Sequence, residues 1–170
     1  MLSTKQLTAR YGKPGTETNL VMINLPYPMR IAWDLKKSVN TIRCHELIAD
    51  KLLAVFSELL QHYGYAEIQR LGIDLFGGCY NFRPKRGTEK RYNALMKSGN
   101  IEEAYELLSN HSWGTAIDVD PARNQLHETA KTARFARPEY KPMIDIFYKH
   151  GFISLGKEKN FDWMHFEIGS

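Results

Sequence analysis

The 170-residue chain has no apolar run approaching the length of a membrane span, and Met1 to Gly12 is polar, without the apolar core of a secretory signal. Both absences predict a soluble chain made in the cytoplasm, with no membrane span. Cysteine is scarce: Cys44 and Cys79 are far apart and form no metal-type pair. No disulfide framework is therefore expected, and two reduced, largely buried thiols are. Internal repeats and low-complexity stretches are missing, so neither a repeat array nor a disordered chain fits.

What is present is the composition of a small globular protein. Hydrophobic residues make up 43%, charged residues 25% and aromatics 12%, which suits one domain with its own core and is short for two. We read residues 1 to 170 as that single domain, with residues 1 to 40 as an N-terminal arm and 41 to 170 as the catalytic core, and expect a monomer. The net charge of +4 and a pI near 9.0 suit a polyanionic partner. The densest basic patch, Arg83-Pro84-Lys85-Arg86 with Lys90 and Arg91, is equally a solvated face. No nucleic-acid-binding motif accompanies it, so no nucleic acid is expected as partner.

Periodicity gives the outline of the elements. Gly12-Lys13-Pro14-Gly15 and Pro26-Tyr27-Pro28 are turn formers around short apolar pieces, predicting an irregular arm with one or two brief strands. From Thr41 to Tyr63 the apolar residues Ile48, Leu52, Val55, Phe56, Leu59 and Tyr63 recur at three- and four-residue steps, the signature of the main helix, with Asn40 as cap and Gly64 as stop. Leu71 to Tyr80 predicts a buried strand bending at Gly77-Gly78, and Ile101 to Leu108 a short helix. Ala116 to Asp120 alternates as a half-buried strand, and residues 122 to 140 are polar, predicting an insertion or lid. Pro142 to His150 predicts another helix, and Phe152 to Leu155 and His165 to Ile168 two short strands. Strands cluster after the long helix instead of alternating with helices, which predicts an α+β class.

Chemistry concentrates in His111-Ser112-Trp113-Gly114-Thr115-Ala116-Ile117-Asp118 and in Asp162-Trp163-Met164-His165. Two imidazoles and one carboxylate, His111, His165 and Asp118, form the ligand set of a catalytic zinc site that keeps a fourth position open, although the same set suits iron. If their strands are antiparallel neighbours, Asp118 and His165 face each other with Cβ atoms about 5 Å apart. Asp162, three residues before His165, is placed to act as general base, or simply caps a turn. Arg83, just past the buried strand, is the candidate for neutralising an oxyanion, with Arg86 as fallback. Glu167 shares the polar face as a partner to orient His111 or His165. Trp113 and Trp163 flank the ligands as substrate walls or as packing. His45, His62, His127 and His150 have no ligand-like neighbours and read as ordinary surface or core histidines.

Ser109-x-His111-x-x-Gly114-x-Ala116-x-Asp118 followed by Asp162-x-x-His165 resembles the signature of zinc D-alanyl-D-alanine carboxypeptidases of the VanY type and of the related L-alanyl-D-glutamate endopeptidases of phage lysins. Phe82-Arg83-Pro84, led by Cys79-Tyr80-Asn81, resembles that family's aromatic-Arg-Pro segment. The resemblance implies a small antiparallel sheet carrying the zinc site, with helices on the other face. It implies one Zn2+ per chain on His111, Asp118 and His165, Asp162 as base, Arg83 at the transition state and Ser109 as a substrate contact. The implied substrate is a peptidoglycan stem peptide, cut after release of the protein at host lysis. Members acting on free dipeptides or C-termini commonly carry Glu where this chain has Asp162, so the resemblance favours the endopeptidase branch. A D-Ala-D-Ala carboxypeptidase and a catalytically silent wall-binding module are the alternatives.

Overall fold

The computed structural model describes residues 1 to 169. A short helix, α1 (Thr4–Tyr11), precedes a long hairpin of β1 (Leu20–Ile31) and β2 (Asp34–His45). Then follow α2 (Glu46–Tyr63), α3 (Tyr65–Leu71), β3 (Leu75–Gly78), α4 (Glu89–Lys97) and α5 (Ile101–Glu106). A 3-10 turn, Asn110–Trp113, leads into β4 (Ala116–Val119), and the chain closes with α6 (Lys141–Lys149), β5 (Phe152–Ser154), α7 (Leu155–Lys159) and β6 (His165–Ile168).

One six-stranded sheet has the order β2-β1-β3-β4-β6-β5, antiparallel except between β1 and β3. The fold is α+β, as the strand clustering predicts. The apolar stripe of α2 (Ile48, Leu52, Val55, Phe56 and Leu59) is fully buried, and α6 adds Met143 and Phe147 to the same core. Phe147 stacks on Phe166 of β6 at 3.9 Å between centroids. The apolar residues of β4 and β6, Ile117 and Phe166, are paired in register and both fully buried. Alternation along a strand then turns Asp118, His165 and Glu167 to the opposite face. Cys44 and Cys79 are free and buried, where loss of hydration pushes the Cys44 thiol up to about 12 and Cys79 well above its ordinary value.

Three expectations are corrected. Residues 1 to 40 are not an irregular arm: β1 and most of β2 lie there, with β1 inside the sheet. Pro26 and Pro28 fall in the register shift between Asn24 and Met29, where a strand tolerates residues that cannot donate to the ladder. The main helix begins at Glu46 rather than near Thr41, because Thr41 to Cys44 complete β2; His45, not Asn40, is the N-cap, its Nδ1 accepting from the Leu47 amide at 3.1 Å. Residues 122 to 140, read from their polar composition as an insertion or lid, are packed into the core: Asn124, Phe135 and Tyr140 are fully buried and Asn124 Oδ1 accepts from the Phe135 amide at 2.7 Å.

Candidate metal centre

The site is built on the β4–β6 pair. Asp118 lies directly opposite His165 in the antiparallel register, as the alternation predicts. His111 comes from the 3-10 turn before β4. Ser109 caps this turn, its Oγ accepting from the His111 amide, and Gly114 ends it in the left-handed region at φ +70°. A Cβ on Gly114 would stand 2.7 Å from the Leu20 side chain and 3.0 Å from the His45 backbone nitrogen, so only glycine lets the turn press against the end of β2. Gly77 does the same for β3, where a Cβ would stand 2.9 Å from the Asp118 carbonyl oxygen.

One potential ligand atom from each of His111, Asp118 and His165 lies within 4.8 Å of the others. His111 Nδ1 donates to the Cys79 carbonyl at 2.6 Å, which leaves Nε2 bare and aimed inward. That Nε2 is buried, makes no hydrogen bond among the described residues, and stands 3.1 Å from Asp118 Oδ1. His165 Nδ1 approaches the same carboxylate oxygen at 3.0 Å, while its Nε2 faces Glu167 Oε2 at 3.0 Å. Asn110 Nδ2 donates to Glu167 Oε2 at 2.7 Å and fixes the carboxylate that orients His165.

Lone pairs converging on one small volume are a poor arrangement without a positive charge between them, and a good one for a cation that prefers nitrogen and oxygen donors. The residues therefore fit a zinc ion. The titrations carry the same strain. Burial opposes ionisation of Asp118, but the two imidazoles outweigh it and hold the carboxyl far below its ordinary range. Burial likewise disfavours a charged His165, yet hydrogen bonds to Asp118 and Glu167 prevail and raise it to about 10.

Asp162 occupies a left-handed turn at φ +53°, its carbonyl accepting from the His165 amide at 3.0 Å and its amide donating to the Leu126 carbonyl at 3.0 Å. Its buried Oδ1 has no hydrogen-bond partner among the described residues. Burial raises its pKa, with His165 opposing and Asp118 adding to the rise. A cavity of about 500 Å³ is lined by Asp162, Asp118, His165, Ser109, Arg83 and Arg86, and a second of about 330 Å³ by Gly77, Asn81, His111, Asp118, Arg83 and Arg86 among others. Arg83 is anchored through its backbone: its amide donates to Ser112 Oγ, and its carbonyl accepts from that hydroxyl and from the Ser109 amide, each at 3.1 Å. Among the described residues the guanidinium makes a single long hydrogen bond, 3.4 Å to the Pro84 carbonyl.

The tryptophans take packing positions. Trp113 is buried and donates from Nε1 to the Gly12 carbonyl at 3.1 Å. Trp163 covers Gly156, where a Cβ would meet the indole at 2.2 Å; neither lines the two cavities. Sequence reasoning missed the Cys79 and Leu126 carbonyls and the amide of Asn110. Carbonyl contacts leave no mark in residue identity, and Asn110 becomes relevant only once β6 is known to bring Glu167 beside it.

No curated protein and no solved structure matches the chain. Residues 102–168, which carry the three clustered potential ligands together with Asp162 and Glu167, match the family described as D-alanyl-D-alanine carboxypeptidase, and that similarity, with the His-Asp-His cluster, supports a zinc-dependent peptidase.

Proposed function

We propose that the chain hydrolyses peptidoglycan stem peptides between L-Ala and D-Glu, using one zinc ion held by His111, Asp118 and His165. The observation that carries the endopeptidase reading is the pair of cavities meeting at Asp118, Arg83 and Arg86. An enzyme that cuts inside a peptide needs room for chain on both sides of the bond, whereas removal of a terminal residue needs one side to end in a pocket. Asp162, in place of the glutamate that dipeptide- and C-terminus-cleaving members commonly carry, supports the same reading.

When bound, zinc supplies a Lewis acid for the scissile carbonyl and lets water ionise near neutral pH. Asp162 takes a proton from the attacking water on its carboxylate and returns it to the leaving amine, work suited to a carboxyl whose pKa burial has raised. The Arg83 guanidinium neutralises the oxygen that gains charge as the carbonyl becomes tetrahedral. Ser109 lines the larger cavity while capping the His111 turn, and contacts substrate from there. Glu167 and the Cys79 carbonyl hold the imidazoles in the tautomers that present bare nitrogens. Acting on the wall after release at host lysis requires no membrane anchor, and no helix among the described residues is long and apolar enough to cross a membrane.

The matched family's description keeps a D-Ala-D-Ala carboxypeptidase as the second reading. Mass analysis of fragments released from purified peptidoglycan separates the two. New D-Glu amino termini with free L-Ala carboxyl termini are expected, and release of free D-alanine alone would replace the endopeptidase with the carboxypeptidase. Asp162→Ala should keep its zinc and lose hydrolysis by at least about 100-fold; wall release equal to that of the parent chain would rule out the assigned base.

A further inference from the structure

Among the described residues seven lysines or arginines form ion pairs with carboxylates, and none of those seven cations lines either cavity. The cations that do line the larger cavity, Arg83, Lys85, Arg86 and Lys159, form no ion pair among the described residues. Acids in the same cavity are already engaged or assigned. Glu106 accepts from the Thr4 hydroxyl at 2.8 Å, Asp118 and Glu167 serve the histidines, and Asp162 has its task in the reaction.

Two of the four cations also have a role or a partner. Arg83 is clamped beside His111 for the reacting carbonyl, and the Lys85 ammonium donates to the Glu106 carbonyl at 2.9 Å. Arg86 is different. It is exposed, makes no side-chain hydrogen bond among the described residues, and lines both cavities, so it lies at their junction. Glu89 lines the smaller cavity but is not within ion-pair distance of Arg86. Asp162 lies within electrostatic reach of Arg86 but forms no ion pair with it, and a guanidinium without an ion-pair partner beside a candidate hydrolytic centre has the five-donor fork that matches a carboxylate on a ligand.

We propose that Arg86 binds a free carboxylate on the substrate residue adjoining the bond that is cut, so that the enzyme selects an acidic peptide over its neutral counterpart. This rests on the endopeptidase reading, which supplies the group: a glutamate joined to the chain through its nitrogen and one carboxyl keeps the other carboxyl free. Arg86 is then a determinant of specificity, separate from the stabilising role of Arg83. Conversion of the free carboxylate to a carboxamide, which carries no charge, should make a stem peptide a poor substrate.

The test uses two synthetic stem peptides that differ only in a free carboxylate or a carboxamide on that glutamate. With zinc-loaded protein, kcat/KM is expected to favour the carboxylate by about 10- to 100-fold, the range of one charge-assisted hydrogen-bonded pair. In Arg86→Gln the preference should fall to nearly one, and Arg86→Lys, which keeps the charge without the fork, should retain part of it. The same ratio is read without hydrolysis from calorimetric dissociation constants on Asp162→Asn, with and without Arg86→Gln. A carboxylate peptide bound selectively through Arg86 but left uncut would overturn the endopeptidase reading alone. Equal handling of the two peptides by the parent chain, or a preference that survives Arg86→Gln, would overturn the assignment to Arg86.

Discussion

The three proposed ligands, His111, Asp118 and His165, are positioned by residues that would not touch the metal. Glu167 holds His165 through Nε2 and is itself held by Asn110. Glu167→Gln keeps the shape of that contact but removes its charge, so zinc affinity measured by chelator competition should drop by about 10-fold or more, within the range usual for such partners. The titration of His165 leads to a second expected outcome. Its folded pKa of about 10 lies above the ordinary 6.5, so in metal-free protein the charged imidazole stabilises the fold fully below pH 6.5. That contribution is lost as pH rises from 6.5 through about 10. Asp118, shifted down by the same pair, adds stability above its ordinary 3.8 that is lost as pH falls through its depressed folded value. Thermal melts of chelated protein should therefore show a falling midpoint between pH 7 and 10. The zinc-loaded protein, in which no proton sits on that nitrogen, should lack this part of the decline.

At the scale of elements, Gly114 sets the distance between the His111 turn and the end of β2, where the His45 amide donates to the Gly114 carbonyl at 2.9 Å. Gly114→Ala combines a left-handed backbone with a clash against the His45 backbone nitrogen, so a loss of about 2 to 4 kcal/mol in denaturant unfolding is expected, with weaker zinc binding. The elements around the site were the legible ones. Alternation in Ala116 to Asp120 and His165 to Ile168 predicts two strands, and the observed register places Asp118 opposite His165. The β1–β2 hairpin is illegible for a physical reason: its prolines sit in a bulge, and only six of its 24 strand residues are buried, so period-two hydrophobicity is faint. The start of α2 is hidden in the sequence because Ile42 and Cys44, although buried from a strand, are apolar residues directly ahead of the helical stripe. In residues 122 to 140 two aromatics, Phe135 and Tyr140, carry the burial; composition averaged over the segment hides them.

At the scale of the whole molecule, the N-terminal residues belong to the machinery that holds the site. Leu7 and Tyr11 are buried in the core, the Tyr11 carbonyl accepts from His45 Nε2 at 2.9 Å, and the Gly12 carbonyl accepts from Trp113 at 3.1 Å. The Gly15 amide donates to the Ser112 carbonyl at 2.8 Å, inside the turn that carries His111. Removing residues 1 to 15 would uncover the apolar surface that Leu7 and Tyr11 cover and leave His45, Trp113 and the Ser112 carbonyl, among others, without these hydrogen bonds, a combined cost of about 5 kcal/mol. For a chain of this length that corresponds to a melting point lower by about 10 to 20 °C. Tryptophan emission should shift to the red as Trp113 meets water, and zinc should bind more weakly because His111 loses the packing behind its turn. A truncated protein with parental melting point and zinc affinity would show that β4 and β6 hold the centre unaided. The contacts argue otherwise, since β4 and β6 provide Asp118 and His165 but leave the position of His111 to the turn, and the turn to the N-terminal residues packed against it.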